Sequence, residues 1–124
     1  MRTMTLILAV LALFCFARSG CSKDHPTPEV AYTTPEDEEW NVPTNIEITI
    51  AFTTPMDKES AENVFSMNPP VNGFFRWNGD DEMVFTPAAP LDPNTKYEVN
   101  MVAGAMSDKA VPMGFHTFEF TTGN

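Results

Sequence analysis

Few side chains in this 124-residue chain have the types and spacing for covalent or acid–base chemistry. There are 2 cysteines, Cys15 and Cys21, and 2 histidines, His25 and His116. A cysteine nucleophile needs a neighbouring base, and a zinc site needs several nitrogen or sulfur donors. Cys21 has neither: Cys15 lies in an apolar leader, and no His-x-x-x-His pair, nucleophile elbow or glycine-rich phosphate loop occurs. His116 shares the parity of Phe118 and Phe120, which predicts a buried or sheet-end position rather than a catalytic one. His25 falls in a polar, proline-bearing stretch and is expected to be solvated. The reading is therefore of a non-enzyme with no cofactor.

Two other groups of residues are candidates for binding. "PEDEE" (Glu36, Asp37, Glu38, Glu39) and "GDDE" (Asp80, Asp81, Glu82) are loops rich in hard oxygen donors. Calcium takes six to eight oxygens, usually from a spaced Asp-x-Asp-x-Asp-Gly loop. Neither loop has that spacing, so Asp37, Glu38, Asp80 and Asp81 are calcium candidates only if the two loops pool their ligands; otherwise they form a solvated acidic rim. Trp40 and Phe74 are the candidates for an exposed aromatic platform that would take a glycan, and both also fit a packing role.

Charge narrows the partners. The chain has 17 acidic against 7 basic side chains, and Arg2 and Arg18 lie within the first twenty residues. Nucleic-acid binding relies on lysine and arginine neutralising phosphates, so this composition argues against it. It argues equally against a basic patch docked on anionic lipid. Strong net charge keeps an exported domain soluble.

The first twenty residues read as an export signal. "MRTMTLILAVLALFCFA" has a basic residue near its start and an apolar run from about Leu6 to Ala17. A dozen helical residues span about 18 Å, short of the roughly 30 Å hydrocarbon core. Ser19 and Gly20 supply small residues before Cys21. Removal of residues 1–20 would leave Cys21 as the single cysteine, unable to form an intramolecular disulfide. This arrangement resembles the lipobox of bacterial lipoproteins, with Arg18 standing where an aliphatic residue is usual. The resemblance implies a lipid on the Cys21 thiol and an acylated new amino terminus. Two or more acyl chains anchor stably where one does not. Residues 21–29, "CSKDHPTPE", then read as a tether. Its Lys23–Asp24 pair resembles a surface-display signal of some Gram-negative lipoproteins.

From residue 30 onward the pattern alternates with period two. "NIEITIAFT" puts Ile46, Ile48, Ile50 and Phe52 on one face and Glu47, Thr49 and Ala51 on the other. Phe75 and Trp77 oppose Phe74 and Arg76; Met83 and Phe85 share a face; so do Tyr97, Val99, Met101 and Ala103, and Phe118 and Phe120. Turn signals at Pro69–Pro70, Asn72–Gly73, Asn78–Asp80, Pro87–Pro93 and Gly104–Pro112 separate these runs. Short strands at such spacing predict an all-β sandwich of about seven strands. One short helix is expected at "DKESAENV", with Asp57 as N-cap and Glu59 in its first turn.

"LDPNTKYEV" has the spacing of a tyrosine corner, in which Tyr97 sends its hydroxyl back to the backbone while Leu91 plugs the sandwich end and Pro93 turns the chain. "ITIAFTTPMDKES", "RWNGDDEMVFTPAAPLDPNTKYEVNM" and "AMSDKAVPM" before "FHTFEFTTG" follow in order. Together they resemble the bacterial Ig-like family first associated with S-layer proteins, over about residues 30–123. The turn after Asp108 departs from the family, with Ala110 and Val111 where Gly-Asn is usual. The resemblance implies an immunoglobulin-like domain over residues 30–124 that serves as a structural or cell-surface module. It gives Pro55, Met56, Asp57 and Trp77 structural jobs: ending a strand, filling the core, capping a turn and packing between sheets.

The expected protein is thus a membrane-anchored bacterial lipoprotein on the periplasmic or cell-surface side. It would contact an envelope or extracellular protein through a sheet edge or loop end. A glycan-binding or adhesion module is the alternative.

Overall fold

The computed structural model describes residues 25–124. The predicted leader (1–20), Cys21 and the Lys23–Asp24 pair lie outside the described residues. Among the described residues are eight strands and one helix: β1 (Val30–Thr34), β2 (Glu39–Val42), β3 (Ile48–Phe52), α1 (Lys58–Asn63), β4 (Phe65–Asn68), β5 (Gly73–Asn78), β6 (Glu82–Pro87), β7 (Lys96–Met101) and β8 (His116–Thr122). They form two four-stranded sheets, ordered β1-β3-β6-β5 and β2-β8-β7-β4. Every pairing is antiparallel except that of β2 with β8. This is the predicted Ig-like sandwich, with one strand more than the seven expected.

Alternation explains the layers. Ile48, Ile50, Phe52, Met83 and Phe85 are buried on the inner face of the first sheet, with Phe75 and Trp77 packed against them. Val42, Met67, Tyr97, Val99, Met101, Phe118 and Phe120 answer from the second. Burying a side chain of this size is worth about 1.5–3 kcal/mol, and this core holds the sheets together without a disulfide. Phe65, Phe75 and Phe85 cluster with ring centroids 4.8–5.3 Å apart. Ile46 precedes β3 and is half-buried.

Three local expectations shift. Ala103 is not an inner residue of β7: the strand ends at Met101, the Val102 N–H turns to the Val64 carbonyl (3.2 Å), and Ala103 is exposed. Asp57 does sit at the N-cap of α1, but its carboxylate makes no capping bond. Ser60 ties that end instead, donating to the Asp57 carbonyl (2.8 Å) and accepting from the Met106 N–H (3.0 Å). Finally, ordered packing begins before Val30. Pro28 is fully buried, the Glu29 N–H donates to Thr53 Oγ1 (3.0 Å), and the Thr53 N–H returns to the Glu29 carbonyl (2.9 Å). Residues 28–29 thus pack as part of the sandwich rather than as tether.

Candidate functional site

The residues with the most chemical potential are scattered. His25 is exposed beside Pro26, while His116 is half-buried at the start of β8 with its ring 6.2 Å from Phe118. Among the described residues no three His, Cys, Asp or Glu side chains converge to hold a metal ion. The acidic loops are occupied separately. Asp37 accepts from the Glu119 N–H (3.1 Å) and the Glu38 N–H donates to the Glu119 carbonyl, fastening the first loop to β8. Asp80 pairs with Lys58 at 3.3 Å, and the carbonyls of Asp80 and Asp81 accept from the Met56 and Phe52 N–H groups. The four calcium candidates therefore sit in two places, with Asp37 and Asp80 engaged through their carboxylates and Glu38 and Asp81 through their backbones.

The aromatic candidates are also apart. Trp40 is 77% exposed and Phe74 68% exposed. Trp40 belongs to β2, an edge of the second sheet, and Phe74 to β5, an edge of the first. Four-residue links join β1 to β2 and β4 to β5, so these two edges lie on opposite sides of the sandwich. Trp40 and Val42 are two residues apart, yet Val42 is buried. Asn41 in the left-handed region (φ 60°) and a register shift break the alternation and turn the indole outward.

The outer face of the first sheet carries a polar network that the sequence reading missed. Tyr32 Oη donates to Glu82 Oε2 (2.6 Å), and Asn78 Nδ2 donates to Glu82 Oε1 (2.9 Å). Arg76 bridges Asn78 Oδ1 (3.2 Å) and Glu47 Oε1 (2.8 Å), and Thr86 Oγ1 donates to Glu47 Oε2 (2.8 Å). The Thr86 hydroxyl and then Arg76 hold the Glu47 carboxyl below its ordinary value. Tyr32 and then Asn78 do the same for Glu82, which in turn pushes the Tyr32 phenol up. Ala51 and Val84 have outward parity but are buried, because Tyr32 and Glu82 flank the one and Arg76 and Thr49 flank the other. The usable signal was the outward run Phe74, Arg76, Asn78 beside outward Glu47.

The residues expected to have structural jobs take the following places, and the Asp57 carboxylate caps no turn. The Asp92 N–H donates to Tyr97 Oη (3.0 Å), and Leu91 is buried at 5% exposure. Pro93 precedes Asn94, which takes the corner at φ 51°. Thr122, also unforeseen, completes the corner: buried at 2%, its hydroxyl donates to the Asp92 carbonyl and accepts from the Thr95 N–H (2.9 Å). Met56 is buried, and exposed Pro55 follows β3, its carbonyl accepting from the Asp108 N–H (3.0 Å). Trp77 stacks on Phe52 (6.2 Å), donates to Glu62 Oε2 on α1 (2.7 Å), and has Lys58 5.8 Å from its ring. Among the described residues every buried side-chain nitrogen and oxygen has a partner.

This geometry agrees with known proteins. A family model described as "Bacterial Ig-like domain" matches residues 24–122. Among solved structures, an L,D-transpeptidase from Mycobacterium smegmatis superposes with a TM-score of 0.59 at 24% identity, covering 79% of this chain and 41% of that one. The N-terminal part of the bacterial S-layer protein SbsC gives 0.59 at 19%, covering 79% and 24%. PcoC, a copper resistance protein from Escherichia coli, gives 0.59 at 17%, covering 76% and 98%. The chain thus spans under half the length of the transpeptidase and S-layer structures. No curated protein sequence matches it.

Proposed function

The chain belongs to the bacterial Ig-like domain family, and from that premise we propose that it is a non-catalytic module of the cell envelope. It is anchored by lipid on Cys21 and presents a sheet edge or loop end to an envelope or extracellular protein. One observation carries this reading: the match to the Ig-like family begins within a few residues of Cys21, directly behind an apolar amino-terminal run. One feature supports the non-catalytic part: the buried polar groups are spent on holding the corner and the loops. The likeness to an S-layer protein supports the envelope address.

Mass spectrometry of the mature protein from membranes tests the anchor. An acylated amino terminus at Cys21 is expected, and a soluble chain beginning elsewhere would overturn the reading. A second reading, glycan binding or adhesion, is favoured by the 77% exposure of Trp40. An indole so open to water is a ready stacking surface. Glycan-array binding that disappears in Trp40→Ala, with an unchanged circular dichroism spectrum, would establish it; Phe74, on the opposite edge, would have no part.

A further inference from the structure

We propose that one end of the sandwich is a membrane-contacting surface, with Phe115 and Val102 entering the headgroup region of the bilayer that holds the lipid on Cys21. The proposal rests on the anchoring reading above and adds an orientation to it.

The argument begins with reach. Packing fixes the chain from Pro28, and Thr27–Val30 wall a cleft of about 370 Å³ against Met113, Gly114, Phe115 and His116. His25 and Pro26 border Thr53–Pro55 and Ser107–Lys109, which belong to the same end. Three residues separate Cys21 from His25, and the four steps between them extend at most about 14 Å. A lipid on Cys21 therefore holds this end, and no other, close to the membrane.

That end also carries exposed apolar side chains, as the Trp40 and Phe74 edges do. Val102 is 46% and Phe115 61% exposed, and they flank Met101 and His116, the final pair of the β7–β8 ladder. Burying such side chains at a bilayer interface is favourable but weak for a free protein. Tethering makes the encounter intramolecular, with an effective concentration near the millimolar range, so a weak contact suffices. The same end carries Glu29, Asp57, Asp80, Asp81 and Asp108 against Lys58 and Lys109. This charge selects a zwitterionic surface and opposes an anionic one. The tyrosine-corner end, with the Pro69–Asn72 and Ala88–Thr95 connections, then faces outward and is the surface left for partners.

The test uses the acylated full protein in phosphatidylcholine vesicles. Cys15 leaves with the leader and Cys21 is blocked by its lipid, so Phe115→Cys introduces the single free thiol for an environment-sensitive fluorophore. Intact mass is read first: an unmodified Cys21 overturns the anchor and this proposal together, before any fluorescence is measured. On acylated protein, the label at position 115 should brighten at least twofold and be quenched by headgroup nitroxide lipid. A label at Phe74→Cys should behave as in water. Vesicles with one third anionic lipid should reduce the effect. Val102→Cys gives the same readout should Phe115→Cys fold poorly. Labels at 115 and 102 as water-exposed as the label at 74, on acylated protein, would overturn the orientation while leaving the anchor standing.

Discussion

The end of the sandwich that carries the β6–β7 crossover leans on two side-chain hydroxyls at Asp92, whereas the end that carries the β7–β8 connection leans more on backbone–backbone bonds, with the Ser60 and Ser107 hydroxyls beside them. At the first, Tyr97 and Thr122 satisfy the N–H and carbonyl of Asp92, and Leu91 fills the gap while its N–H donates to the Thr44 carbonyl (2.8 Å). At the second, the Asp57, Asp108 and Met113 N–H groups reach the carbonyls of Met106, Pro55 and Ala105 at 2.9–3.0 Å. Both solutions pair the polar groups that leave the sheet ladders, as burial requires. The difference lies in fragility. A side-chain closure hangs on two hydroxyls, while a backbone closure survives most substitutions and depends on the path of the chain.

The largest effect should therefore come from the corner. Tyr97→Phe keeps the ring stacked on Phe120 (5.7 Å) but leaves the Asp92 N–H without its acceptor. The expected loss is about 1–3 kcal/mol, read as a lowered urea midpoint at unchanged slope. Thr122→Val removes the other hydroxyl on Asp92 and should cost a similar amount. The two should couple by more than about 0.5 kcal/mol in a double-mutant cycle, because they serve one residue. Tyr97→Phe within about 0.3 kcal/mol of wild type would break the comparison.

Smaller effects are expected at the other end. Ser107 is buried, and its Oγ accepts from the Lys109 and Val111 N–H groups at 3.2 Å each. Ser107→Ala should cost about 1 kcal/mol, with hydrogen-exchange protection of Met113 retained because its backbone partner remains. Ala110 sits in that loop at φ 63°, where a Cβ is strained. Ala110→Gly relieves roughly 1–2 kcal/mol of that strain and gives back about 0.4–1 in unfolded-chain entropy. A net gain in stability of about 0.5–1 kcal/mol is expected, read as a raised denaturation midpoint.

The same contrast explains what the sequence made legible. The corner was visible because Leu91, Pro93 and Tyr97 are distinctive types at fixed spacing. The long strands were visible because Ile48, Ile50, Phe52, Phe118 and Phe120 alternate over one buried face. β1, β2 and β4 offer no such pattern: β1 is mostly exposed, β2 is interrupted by left-handed Asn41, and β4 is four residues long. Ala103 misled because alternation continues in the sequence after the backbone has turned away. The left-handed geometry at Ala110 was foreshadowed as a departure from the family's Gly-Asn turn. Thr122 and the outer-face network were hidden for a common reason. Each depends on which strands become neighbours, and pairing order is not written in local periodicity.

The smallest effect, and the one that separates the outer-face network from the corner, is the response to pH. Glu47 and Glu82 are held below the ordinary carboxylate value of 4.5, so their contribution is complete above that value and fades as pH falls through the lowered ones. Tyr32 is pushed above the ordinary 10.0, so its contribution is complete below 10.0 and is lost as pH rises through the raised value. The network should thus give the melting profile an acid limb and an alkaline limb, both shallow because these groups are solvated and screened. Glu47→Gln should flatten part of the acid limb and leave the alkaline limb alone. Tyr32→Phe should remove the alkaline limb attributable to this pair and, by freeing Glu82, part of the acid limb. Tyr97→Phe should lower the profile between those limbs without changing their slopes, because its hydroxyl serves a neutral backbone group. If Tyr32→Phe instead lowered the whole profile as Tyr97→Phe is expected to, the outer face would be holding the sandwich together in the way the corner does.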